Sequence, residues 1–438
     1  MKLICFALAA SFAVTTAIAE DDRLPQTLFT NVNVYDGVTP ELMMGANVLV
    51  EGNLIKQVST EAIDAPLATV IDGGGRTLTP GLTDTHTHLH IVAAAVDMEQ
   101  MPGQEAAIRG AVAAEDMLMR GFTTVRDLCG NTHGMRRAIN AGVIPGPRIV
   151  SAGACIGGWS SHADFMTDTS VKGQTNMERI GMVRIADGPD EVRLAIREEM
   201  RKGASFIKIM IGGGLSSRYD PLDVTTMSKE EIEAAVDETA RWGTYVTAHA
   251  YTDVSLNLGM DAGMVTFEHM HLAGRETFER LAEIGAVVSS QVGVVPTLCD
   301  NPLFNTAATK AKACNLQEGG IASFGYINDL NIRSGYGVDS FGSLEGYRYN
   351  SDAMLVRKEY FSNDKILEQM FANNAELIAM TGERNPYKDG PLAVIEPGAY
   401  ADIILVEGDP TQDVAVFSEW ETGIDLVMKD GVIYRNEL

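Results

Sequence analysis

Beyond residues 3–18 the chain has no apolar run long enough to cross a bilayer. Cysteine is scarce: five among 438 residues, none in CxxC spacing, which argues against a cysteine-held zinc. Basic residues are outnumbered 34 to 59, a formal charge of −25, so a polyanion such as nucleic acid would be repelled. Ser160 and Ser161 lack the surroundings of a nucleophile elbow, which disfavours a serine hydrolase. There is no internal repeat and no low-complexity tract.

The N-terminus reads as a signal peptide over 1–19. Lys2 precedes the uncharged stretch 3–18, and Ala17-Ile18-Ala19 fits the small-x-small cleavage rule. The mature protein then starts near Glu20 and is secreted or periplasmic. The stretch is short for a spanning helix and acidic residues follow it, so no stable membrane anchor is expected. Cys5 leaves with the signal. A disulfide such as Cys299–Cys314 and buried free thiols both stay open for Cys129, Cys155, Cys299 and Cys314.

Both ends of the mature chain are rich in β-signals. Runs at 27–35, 46–51 and 54–59 are separated by Asp36-Gly37 and Gly52-Asn53; runs at 401–406, 424–428 and 432–434 surround Gly408-Asp409-Pro410 and Lys429-Asp430-Gly431. The expectation is a small composite β-sandwich built from 20–79 and 393–438. Between them, short β-runs at 122–126, 148–151, 206–210, 245–248, 264–267 and 286–289 alternate with helical patterns. Ser228 and Glu231 form a capping box, and 190–202 carries an apolar face followed by Gly203. About eight such units over 80–392 favour an α/β architecture, a (β/α)8 TIM barrel.

A barrel of this kind carries its active residues at the C-terminal ends of its strands. The chain has only eight histidines. His86 and His88 lie two apart on an extended run, so both rings can face one cation; alone, such a pair is as readily a packing feature. His249 and His269 end two later β-runs. Neutral imidazole suits zinc and similar ions. Lys208 sits inside the apolar run 204–210, where a lone ammonium is costly. It is either paired with a carboxylate or carboxylated by carbon dioxide into an anionic metal ligand. Asp339 falls where an eighth strand should end; a turn aspartate is the plainer reading, a ligand that also accepts a proton the functional one.

The order HxH, Lys, His, His, Asp resembles the amidohydrolase superfamily. Residues 79–88 are similar to its first-strand signature, 396–403 to its re-entry into the sheet domain, and 427–431 to its last hairpin. Thr123-Thr124-Val125-Arg126-Asp127 and Ala248-His249-Ala250-Tyr251 resemble the imidazolonepropionase-related branch, with its Xaa-Pro and Xaa-Arg dipeptidases and ochratoxinase-like amidases. The resemblance covers essentially the whole mature chain. It implies two divalent metal ions, expected to be zinc: His86, His88 and Asp339 on the first, His249 and His269 on the second, carboxylated Lys208 joining them with a hydroxide. Tyr251 would assist the carbonyl and Asp339 would pass the proton to the leaving amine. His162 follows a Gly-Gly element as in related dipeptidases, although extra residues precede it; Arg218 is a candidate for a substrate carboxylate. His271 is a rival to His269, whereas His90 and His133 are not expected to be ligands. The segments 156–188 and 292–334 are expected to line the pocket.

The function expected from these residues is amide hydrolysis of dipeptides or N-acyl amino acids, an ochratoxin-type amide included, by a homo-oligomer. The alternatives are a cyclic amide, lactone or organophosphate hydrolase with the same centre, and an inactive barrel used for binding.

Overall fold

The structure, a computed structural model, describes residues 24–438 except 167–172, 302, 303 and 305. The expected signal peptide at 1–19 lies outside the described residues.

The N-terminal part supplies β1 (Gln26–Val34), β2 (Met43–Glu51), β3 (Leu54–Ser59), β4 (Thr69–Asp72) and β5 (Thr77–Pro80). The middle supplies β6 (Leu82–Thr87), β7 (Phe122–Asp127), β8 (Arg148–Ser151), β9 (Cys155–Gly157), β10 (Val183–Ile185), β11 (Ile207–Met210), β12 (Val246–Thr252), β13 (Thr266–Leu272), β14 (Val287–Ser290) and β15 (Arg333–Tyr336). The C-terminus adds β16 (Ile403–Val406), β17 (Ile424–Lys429) and β18 (Val432–Asn436).

Both ends meet in one eight-stranded sheet, ordered β18-β17-β16-β5-β1-β2-β3 with β4 on β1. Its central contact is antiparallel: Leu405 of β16 stands opposite Leu78 of β5 and Leu426 of β17. The two termini therefore do build a common sheet around Phe29, Val48, Leu78, Ile403 and Leu405.

The middle strands are parallel throughout, in the orders β6-β7-β8 and β10-β9-β11-β12-β13-β14-β15. β6, β7, β8, β11, β14 and β15 are buried along almost their whole length, as expected of strands covered on both faces. Between the two groups, Ser205 N–H donates to Ser151 O at 2.8 Å. At the other junction Thr87 forms a parallel bridge with Ser340 and Asp339 N–H donates to His86 O at 2.7 Å. The Asn374 amide stitches the same junction: Nδ2 donates to Thr83 O at 2.8 Å and Tyr336 O at 3.0 Å, and Oδ1 accepts Tyr336 N–H at 2.9 Å.

The covering helices follow their sequence signals. Pro189–Lys202 starts on a proline, carries Asp190 and Glu191 in its first turn and Arg201 and Lys202 in its last, and buries Val192, Ala195, Ile196 and Met200. Gly203 ends it at φ 109°, a conformation other residues rarely adopt. Before Lys229–Arg241 the capping box forms: Glu231 N–H donates to Ser228 Oγ, and Ser228 N–H to Glu231 Oε2. Disulfides join Cys129 to Cys155 and Cys299 to Cys314. Among the described residues no helix is long and apolar enough to cross a membrane.

Candidate metal centre

Because the middle strands run parallel, their C-terminal ends lie on one side, and the chemistry-bearing residues gather there. His86 and His88 come from the end of β6, Lys208 from β11, His249 and Tyr251 from β12, His269 and His271 from β13. Asp339 follows β15. Ring centroids are 5.2 Å apart for His86–His88, 4.9 Å for His86–His269, 4.4 Å for His249–His269 and 4.6 Å for His249–Tyr251. His269, Met270 and Asp339 hold positive φ values of 77°, 61° and 67°. Such backbone costs about 1–3 kcal/mol per residue, and strain of this kind concentrates at functional sites.

One nitrogen each from His86 and His88 and one Asp339 oxygen lie within 4.8 Å of one another, a group able to hold a metal ion. His88 Nε2 is 2.9 Å from Asp339 Oδ1, and His86 Nε2 is 3.5 Å from it. Other ring nitrogens are occupied by the protein in the manner of metal-ligating histidines, which give their second N–H to an acceptor. His86 Nδ1 meets Glu268 Oε2 at 2.8 Å and Gln291 Nε2 at 2.9 Å, so its protein contacts lie on Nδ1 and Nε2 faces Asp339. His249 Nε2 lies 3.1 Å from the Gly213 carbonyl, which leaves Nδ1 free to ligate. His269 Nδ1 lies 2.7 Å from Gln291 Oε1, which leaves Nε2. His86, His88 and Asp339 thus form a donor set that fits a divalent cation.

Burial sets the electrostatics. It pushes His86 down to about 4 and His249 and His269 well below their usual range, so these imidazoles are neutral near pH 7. Burial also opposes ionisation of Glu268, but Arg126, His86 and Lys208 outweigh it and hold the carboxyl well below the usual range. Asp339 is held low in the same way by His86, His88 and Lys208. Lys208 is 1% exposed and forms no ion pair among the described residues. Burial pushes its amine down to about 8, against the pull of Glu268 and Asp339.

His162 is brought in as well: its ring stacks on His249 at 4.2 Å. His271 stacks on Tyr251 at 5.6 Å, with both ring nitrogens buried and unpartnered among the described residues. Arg218 sits exposed on the loop after β11, without an ion pair among the described residues. His90 accepts from Asn131 N–H, and His133 lies in the helix His133–Asn140; neither joins the cluster.

Sequence reasoning missed several supports. Glu268, Arg126, Gln291, Ser217, Asp220 and Lys312 all contact the site or the residues that form it. Arg126 was visible as a polar residue inside the strand-like run 122–126, and Glu268 directly after the run 264–267. The others carry no local signal.

Two histidines and a carboxylate able to hold a metal ion thus stand at one end of the parallel strands. The chain belongs to the amidohydrolase family, whose match covers residues 77–434. Members of this family generally use divalent metal ions. The chain is 27% identical over 383 residues to ochratoxinase of Aspergillus niger, covering 82% of this chain and 75% of that protein. A solved amidohydrolase is similar at 32% identity and TM-score 0.86, and a prolidase complexed with N-methylphosphonate-L-proline at 30% identity and TM-score 0.87. Each likeness covers 94% of this chain and 100% of the other. The protein is accordingly a hydrolase acting on amide bonds, with an amidohydrolase-type fold.

Proposed function

We propose that the protein is a binuclear amidohydrolase that cleaves an amide bond beside a free carboxylate, in dipeptides or N-acyl amino acids. The observation that carries this reading is the convergence of His86, His88, His249, His269, Asp339 and the buried Lys208 at one end of the parallel strands. The prolidase and ochratoxinase relatives support the amide. An ochratoxin-type amide, an N-acyl phenylalanine, belongs to the same substrate class.

His86, His88 and Asp339 would hold one cation, and His249 and His269 the other. Neutral imidazoles with carboxylates suit zinc. Lys208, if its neutral amine adds carbon dioxide and loses a proton, would supply an anionic carbamate oxygen as a further metal ligand. When bound, the two cations supply a nucleophilic water near neutral pH and polarise the scissile carbonyl. Tyr251 donates a hydrogen bond to the carbonyl oxygen; burial pushes its phenol well above the usual range, so the proton stays on it. Asp339 accepts the water's proton and delivers it to the leaving nitrogen. His162 and Arg218 take the substrate's polar end, Arg218 its carboxylate.

The same reading includes a closed eight-stranded barrel over 80–392, a sandwich from 20–79 and 393–438, assembly as a homo-oligomer, and secretion after cleavage near Ala19. Two disulfides suit an oxidising compartment. A screen of dipeptides and N-acyl amino acids against lactones and organophosphates, with zinc present, tests the substrate class. Higher kcat/KM on amides bearing a free carboxylate is expected; a preference for lactones would overturn it.

A further inference from the structure

The loop after β11 closes on itself around a buried carboxylate. Asp220 Oδ2 accepts Gly214 N–H and Ser217 Oγ–H, each at 2.6 Å. Ser217 has one hydroxyl proton, and Asp220 takes it. The contact between Ser217 Oγ and His162 Nδ1, at 2.6 Å, must then run the other way, with His162 Nδ1–H donating. His162 is fixed as one tautomer, with Nε2 left over and its ring held against His249.

Two further features hold the loop in this shape. Lys312, from the helix Ala307–Asp329, sends its ammonium into the carbonyls of Gly214 at 2.8 Å, Asp220 at 2.9 Å and Ser217 at 3.3 Å. An ammonium has three protons and only donates, which matches three acceptors. A Cβ on Gly214 would stand 1.8 Å from His162 Nδ1, so the backbone approaches the imidazole as closely as only glycine allows.

We infer that Ser217, Asp220 and Lys312 are positioning residues that orient His162 and turn its Nε2 to the substrate. Lys312 ties this loop, which also carries Arg218, to a helix from a distant part of the chain. The inference rests on the proposed amide hydrolysis for its kinetic consequences, but not for the tautomer.

A double-mutant cycle on the full-length, metal-loaded protein tests it. Ser217→Ala raises KM about tenfold, the scale of one hydrogen bond, with kcat changed less and bound metal unchanged. Ser217→Thr, which keeps the hydroxyl, restores it. Ser217→Ala combined with His162→Ala is no worse than His162→Ala alone, because both act through one imidazole. Additive losses, or wild-type KM in Ser217→Ala, overturn the inference. Nitrogen-15 spectra of the histidine-labelled protein, with His162 assigned through His162→Gln, decide it without any substrate. The Nδ1–H tautomer is expected, and is lost in Ser217→Ala; an Nε2–H tautomer in the wild type overturns the inference even if amide hydrolysis stands. Absence of amide hydrolysis in the wild type would sink the proposed function and leave the tautomer result to decide this inference alone.

Discussion

Arg126 Nη1 meets Glu268 Oε1 at 2.9 Å, and neither side chain is more than 1% exposed. Glu268 then meets the site through its second oxygen, 2.8 Å from His86 Nδ1. Arg126 is braced by its own bonds to Tyr245 Oη and Thr85 O, each at 2.9 Å, and lies over the Phe206 ring. Removing one partner of such a pair strands a buried charge. Arg126→Met is expected to lose about 3–5 kcal/mol in urea unfolding. An unchanged midpoint would show that the pair does not hold Glu268 ionised.

Tyr251 stands beside both His249 and His269, with ring centroids 4.6 and 5.3 Å away. If its hydroxyl donates to the developing oxyanion, Tyr251→Phe loses about 3 kcal/mol of transition-state stabilisation, roughly a hundredfold in kcat or more. Bound metal stays the same. A kcat within a fewfold of wild type would remove Tyr251 from the chemistry.

Asp127 gives a pH signature. Burial pushes its carboxyl up to about 7, although Thr132 Oγ1–H and Leu89 N–H both bond it. A carboxyl raised on folding binds its proton more tightly in the native state. Its contribution is therefore complete below the ordinary carboxylate range, about 4, and is lost as pH rises through about 7. Asp127→Asn is expected to flatten the fall in stability between pH 5 and pH 8, read as urea midpoints. An unaltered slope would contradict the assignment.

The Cys299–Cys314 disulfide spans a sequence separation of 15 and anchors the helix that carries Lys312. Cys299→Ser with Cys314→Ser is expected to lose about 3 kcal/mol, the loop-closure scale for such a span. KM should rise alongside, because Lys312 holds the loop beside His162. A variant as stable as the wild type would show that the crosslink constrains nothing.

The strands were legible where apolar runs stop at turn residues: 54–59 and 148–151 match β3 and β8. The runs at 245–248 and 264–267 stop short of β12 and β13, which continue to Thr252 and Leu272. Their continuations carry His249, Tyr251, His269 and His271, polar side chains that break the apolar run although the strand goes on. The segment 156–188 conceals β10, too short to register as a pattern. The candidate ligands were legible because histidine is rare and its order along the chain is distinctive. Lys312 was not: on a long helix it reads as a solvated lysine, and its three carbonyl acceptors exist only once the loop at 213–220 has folded against it.

Elemental analysis of the purified full-length protein, paired with amide hydrolysis before and after chelation, tests the central claim most directly. Two divalent ions per chain are expected, with activity lost on their removal and restored by zinc, and a Lys208→Ala variant that loses most of both. Full activity in a protein carrying no metal would contradict it.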